Sequence, residues 1–122
     1  MQIHPIMYVR DQYAERDFYR LFGFQDAYEG DEFPGFLAVR CGEAIIGLQA
    51  ASAMQPAYAS GLRWQFALTT AQELDEVIAT CNRHTLTHRI VTEEGGTRFR
   101  TQLVAVESPS GIEVWFEGPN EI

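Results

Sequence analysis

Glu107-Ser108-Pro109-Ser110-Gly111-Ile112-Glu113-Val114-Trp115-Phe116-Glu117 places a turn directly before a strand. Ser-Pro-Ser-Gly is turn chemistry: Pro109 presets one backbone angle, serine bonds locally, and Gly111 accepts a positive φ. Beyond the turn the side chains alternate. Ile112, Val114 and Phe116 fall on one face, Glu113, Trp115 and Glu117 on the other. The first face is apolar and belongs in a core. The second mixes carboxylates with a large aromatic, which suits a pocket wall or an open sheet face.

Upstream, the same half of the chain reads strand, helix, strand, strand. Leu62 to Thr69 is a strand. Thr70-Ala71-Gln72-Glu73 is a capping box, in which hydroxyl and carboxylate satisfy each other's free backbone donors. Leu74, Val77, Ile78 and Cys81 then recur at helical spacing. Leu86 to Thr92 and Phe99 to Val106 are strands, with Glu93-Glu94-Gly95-Gly96 as the turn between them.

The first half repeats this order. Ile3 to Val9 is a strand, and Asp11 offers an N-cap carboxylate to a helix running through Leu21. Ala14, Phe18, Leu21 and Phe22 form its apolar stripe, and Gly23 stops it. Strands follow at Phe24 to Glu29, Phe36 to Arg40 and Ala44 to Ala50, with turns at Gly30-Asp31 and Cys41-Gly42-Glu43. Ala51 to Gly61, with Pro56 inside it, has no period and reads as a linker. The expectation is one α+β domain over residues 1–122. Two βαβββ modules, about 1–50 and 62–118, are joined by linker 51–61 and form a curved mixed sheet with helices on the outer face. The concave side is the natural ligand cleft.

Bulk properties narrow the function classes. A chain of 122 residues holds one domain with a real core. Its net charge of −8, with nine Lys and Arg, lacks the basic footprint that nucleic acid requires. No apolar run approaches the roughly 20 residues of a membrane span, and Met1-Gln2-Ile3-His4-Pro5 has no signal-peptide character. A cytoplasmic protein with no nucleic-acid or membrane partner is expected. Cys41 and Cys81 read as reduced thiols rather than a metal pair.

Three features resemble the vicinal oxygen chelate superfamily, which includes glyoxalase I, extradiol dioxygenases, fosfomycin-resistance enzymes and bleomycin-resistance proteins. Val9-Arg10-Asp11 followed by Phe18-Tyr19-Arg20-Leu21-Phe22-Gly23-Phe24 resembles the family's opening motif, with Phe22 in place of Leu. The duplicated module is the second feature. Ser108-Pro109-Ser110-Gly111 entering Val114-Trp115-Phe116-Glu117 resembles the family's closing motif. The resemblance implies a divalent metal in some members, with ligands from the first and last strands of each half. Those positions fall on His4, Gly47 (with Gln49 on the same face), Gln65 and Trp115. Only His4 is a good ligand, because glycine has no donor, an amide is weak and an indole is none. Glu113 and Glu117 share the face of Trp115, but two residues along a strand is about 7 Å, too far for simple replacement.

The favoured expectation is therefore a small-molecule-binding protein without a metal or other cofactor, closest in character to the bleomycin-resistance branch. It would hold an aromatic or cationic ligand in the cleft. Its candidate ligand-binding residues are His4, Tyr8, Gln49, Gln65, Glu113, Trp115 and Glu117, with Phe36 offering further aromatic area. Trp64 alternates to the opposite side from Gln65 and reads as core. The alternative is a metal-dependent lyase, isomerase or dioxygenase with a degenerate metal site, in which His4 or Glu113 serves as general base. His84 and His88 read as structural. A homodimer with a two-fold axis is expected.

Overall fold

A computed structural model describes residues 1, 3–57 and 62–122. The end of the expected linker, including Gly61, lies outside the described residues. The chain divides into two compact units, Met1–Ser60 and Gly61–Ile122. Each is a βαβββ module, so the fold is α+β as expected.

The first unit runs β1 (Ile6–Val9), α1 (Gln12–Leu21), β2 (Gln25–Glu29), β3 (Phe36–Cys41) and β4 (Ala44–Ala50). The second runs β5 (Arg63–Ala67), α2 (Ala71–Arg83), β6 (His88–Gly95), β7 (Phe99–Glu107) and β8 (Glu113–Glu117). The sheet orders match: β1-β4-β3-β2 and β5-β8-β7-β6. In each sheet the module's first strand pairs parallel with its last, and the other pairs are antiparallel.

Both helix starts form as their residues dictate. The Asp11 carboxylate accepts from Ala14 N at 3.0 Å. The Thr70–Glu73 box closes reciprocally, with Glu73 N donating to Thr70 Oγ1 at 3.2 Å and Thr70 N to Glu73 Oε1 at 3.1 Å. Helix α2 buries Leu74, Val77 and Cys81 against β7 and β8. Full burial of each aliphatic side chain stabilises by about 1.5–3 kcal/mol. It also pushes the Cys81 thiol up to about 11, so this sulfur is inert at neutral pH.

Helix α1 buries Phe18 of the expected stripe but turns Gln12, Glu15 and Tyr19 inward in place of the rest. Gln12, Glu15, Phe18 and Tyr19 are its buried residues, while Ala14, Leu21 and Phe22 are half-exposed. The cause is polar. Gln12 Nε2 donates to Leu48 O at 2.9 Å and to Gly35 O at 3.1 Å, which ties the first helical turn to β4 and to the loop before β3. Tyr19 is fully buried between the rings of Phe18 and Phe24, with centroids at 5.4 and 5.1 Å. Burial, and then the neighbouring Glu15, raise its hydroxyl pKa well above the phenol value.

Several boundaries depart from the sequence reading, three of them for a visible reason. Strand β1 begins at Ile6 rather than Ile3, because Pro5 has no N–H to donate; its carbonyl still accepts from Gly47 N at 2.8 Å. Glu93, Glu94 and Gly95 are not a turn. They continue the ladder against Thr101, Arg100 and Phe99, and the reversal is made by residues 96–98, with Gly96 at φ +60. Cys41 closes β3 opposite Ala44 instead of belonging to the turn. The Ser108–Gly111 turn is as expected: Gly111 N donates to Ser108 O at 2.8 Å, with Gly111 at φ +79.

Candidate functional site

Side chains directly opposite one another on neighbouring strands share a sheet face. In the second unit this sets Gln65, Trp115, Ala105 and Arg89 in one row across β5, β8, β7 and β6. Arg63, Glu113 and Glu107 form the row before it, and Ala67, Glu117, Leu103 and Val91 the row after it. Val114 and Phe116 face the other way and are buried, as the alternation requires. Trp64 also lies on that opposite face and is half-buried.

Trp115 is 6% exposed. Its indole packs on Leu103 and Ala105, with Val91 beside them. The indole N–H donates to Glu113 Oε2 at 2.7 Å. Arg89 grips the same carboxylate, with Nη1 to Oε1 at 3.1 Å and Nη2 to Oε2 at 3.4 Å. Arg89's hydrogen bonds, then that of the indole, hold the Glu113 carboxyl below the usual carboxylate range. Two guanidinium groups cover the ring: the Arg63 guanidinium carbon lies 4.1 Å from its centroid and that of Arg89 5.3 Å. Both distances are within cation–π range. Beside this assembly Thr87, Arg89, Ala105, Glu107 and Glu113 line a cavity of about 310 Å³, at the small end of ligand-site volumes.

The candidate residues of this unit are therefore brought together. Glu113 and Trp115 bond to each other, and Gln65 Nε2 donates to Glu117 Oε2 at 3.2 Å. Arg63 and Arg89 were absent from the sequence reading. The signal existed: Arg63 stands two residues before Gln65 on the same strand and so shares its face. Assigning Arg89 needed the β6–β7 register.

The first unit holds His4, Tyr8 and Gln49. Tyr8, Gln49 and Phe36 form one row, and Ile6, Gly47, Ala38 and Tyr28 the neighbouring one. The Phe36 ring leans onto Gly47. A Cβ at that glycine would lie 2.7 Å from Phe36 Cε2 and 3.0 Å from Ile6 Cγ1. Tyr28 stacks beside Phe36 at 5.8 Å. Gln49 Nε2 donates to Pro34 O at 3.4 Å. His4 precedes β1, is exposed, and lines a cavity of about 570 Å³ with Ile3, Arg40, Gly42, Glu43 and Ile45.

These positions do not fit the divalent metal that the fold family implies. At Gly47 the space for a ligand side chain holds the Phe36 ring. At Gln65 the amide nitrogen donates to Glu117, and only the amide oxygen, a weak ligand, is left for a metal. At Trp115 the indole offers a donor N–H, already given to Glu113. His4 alone carries a strong ligating group, and among the described residues no three His, Cys, Asp or Glu side chains converge as a metal-binding group. Among the described residues, no helix is long and apolar enough to cross a membrane.

Solved structures share this fold at low identity. A lactoylglutathione lyase from Agrobacterium tumefaciens is 18% identical, with 97% of this chain and 92% of that chain covered and a TM-score of 0.73. A bleomycin resistance determinant encoded on transposon Tn5 is 19% identical, with 100% and 99% covered and a TM-score of 0.65. A fosfomycin resistance protein from Mesorhizobium loti is 11% identical, with 99% and 93% covered and a TM-score of 0.71. At these identities the likeness concerns the fold alone. No curated protein sequence matches the chain. The family model described as Glyoxalase/Bleomycin resistance protein/Dioxygenase superfamily matches residues 2–116. With the duplicated βαβββ module, that match means that the chain belongs to the glyoxalase/bleomycin resistance protein/dioxygenase superfamily.

Proposed function

We propose that this chain is a small-molecule-binding member of its superfamily that works without a metal and takes a planar ligand on the β5-β8-β7-β6 face around Trp115. The observation that carries the reading is the way Trp115 is held. Its N–H is bonded to Glu113, Glu113 is gripped by Arg89, and the ring is capped by Arg63. A surface fixed in advance by such bonds loses little entropy when a ligand docks. The cavity lined by Arg89, Ala105, Glu107 and Glu113 lies beside the held ring.

The cationic ligand expected from the sequence loses its best place. A cation over the indole face is the attraction that Trp offers, and the protein's own guanidinium groups take that position. The planar, aromatic part of the expectation is retained. A metal-dependent lyase, isomerase or dioxygenase would need stronger donors than Gly47, Gln65 and Trp115 supply. A homodimer remains part of the proposal, and sedimentation velocity tests it: a monomer at all concentrations refutes it.

The test of function is a screen of planar compounds by tryptophan fluorescence, followed by mass spectrometry of the recovered compound. Saturable quenching with the compound recovered unchanged is the expected result. Turnover of a bound compound, or no saturable quenching across the screen, contradicts the reading.

A further inference from the structure

We infer that Arg63 docks a carboxylate of the ligand, so that the planar molecule proposed above is an anion; the inference rests on that reading and narrows it. What this face shows to solvent is not the indole. Trp115 is 6% exposed, whereas Arg63 is exposed and its guanidinium carbon lies over the ring at 4.1 Å. Among the described residues no carboxylate lies within ion-pairing distance of Arg63, although the chain carries 17 acidic residues against nine Lys and Arg. Glu113, its cross-strand neighbour, is instead occupied by Arg89 and the indole N–H. Glu117 stands beyond Trp115 and accepts from Gln65.

The chemistry of a guanidinium decides what fits. It offers five N–H donors in a planar fork that matches a carboxylate through two parallel hydrogen bonds. Holding a free arginine still costs rotamer entropy; here the indole beneath has already restricted the side chain. Among the described residues Arg63 is thus an oriented cation that makes no side-chain hydrogen bond, while the neighbouring Glu113 carboxylate is bonded to Arg89 and the indole. A cationic ligand would meet the Arg63 guanidinium as a like charge. A neutral planar ligand would gain contact but no charge-assisted bond.

Three probes of nearly the same shape separate these cases: benzoate, benzamide and benzamidine. The readout is the Trp115 indole N–H resonance in ¹⁵N-labelled protein, assigned with a Trp64→Phe variant. Benzoate is expected to shift it with a Kd about tenfold below those of benzamide and benzamidine, the size of one charge-assisted contact. Arg63→Gln is expected to bring benzoate to the level of benzamide, and Arg63→Lys to fall between. Unchanged remaining resonances establish that the variants are folded. Benzamidine binding as tightly as benzoate overturns the inference, as does benzoate binding that survives Arg63→Gln. If all three probes shift the resonance equally, the carboxylate inference falls and the planar-ligand reading stands. If none moves it up to its solubility limit, both fall.

Discussion

Gly47 and Trp115 occupy the same place in the two modules. Each sits on the last strand opposite an alanine of the preceding strand, Ala38 for one and Ala105 for the other. Each also faces the module's first strand, at Ile6 and at Gln65. The sheet leaves a void over that alanine, and the modules fill it from opposite directions. In the first, the Phe36 ring leans from β3 onto a residue with no side chain. In the second, the Trp115 ring leans from β8 over Ala105 and Leu103. The same register also aligns Tyr28 with Arg89 and Ile45 with Glu113. The first module's plug therefore has Tyr28, Ile45 and the Gln49 amide around it, and the second's has the Arg89–Glu113 ion pair and the Arg63 guanidinium. Duplication conserves the need to fill the void, not the chemistry that fills it. Only the second module builds a charged surface on top of its plug.

The largest expected effect comes from removing the second plug. Trp115→Gly is expected to cost about 3–5 kcal/mol in denaturant unfolding, as for other large-to-small core changes. Leu103 stands where Phe36 stands in the first module, so adding Leu103→Phe should recover part of that loss. A double variant no more stable than the single one breaks the equivalence.

Gly47→Ala follows. Its Cβ meets Phe36 and Ile6 inside contact distance, so a cost of about 1–3 kcal/mol is expected from overpacking. In a Phe36→Ala background the same change should cost little, and the double-mutant cycle measures the coupling. An additive cycle refutes the plug in the first module.

Glu113→Gln is expected to cost under about 1 kcal/mol, because the Arg89 pair is largely exposed. It should nonetheless move the Trp115 indole N–H resonance, since the acceptor changes from carboxylate to amide. The smallest effect is in pH. Glu113 titrates below the usual carboxylate value when folded, so its contribution is present above that value and is lost as pH falls through the folded value. The indole resonance should hold through the ordinary carboxylate range and change only below it, and Glu113→Gln should abolish that step.

What was legible in the sequence follows from how local each signal is. The caps at Asp11 and Thr70–Glu73 involve residues three positions apart and formed as read. The alternation of β8 placed Val114 and Phe116 inside and Glu113 and Trp115 together. The inward face of α1 was misread because Gln12 finds its partners at Gly35 and Leu48, far along the chain. Phe36 against Gly47 and Arg89 against Trp115 depend on cross-strand register, which side-chain pattern alone does not supply. Arg63 was overlooked for a different reason: an arginine on a strand reads as solvated until the ring beneath it is known.

The most direct test of a metal-free site is the metal content of protein purified without chelator or affinity metal, measured by elemental mass spectrometry. The account predicts metal far below one ion per chain. Near-stoichiometric nickel, zinc, manganese or iron would contradict it and would return lyase, isomerase or dioxygenase chemistry to first place.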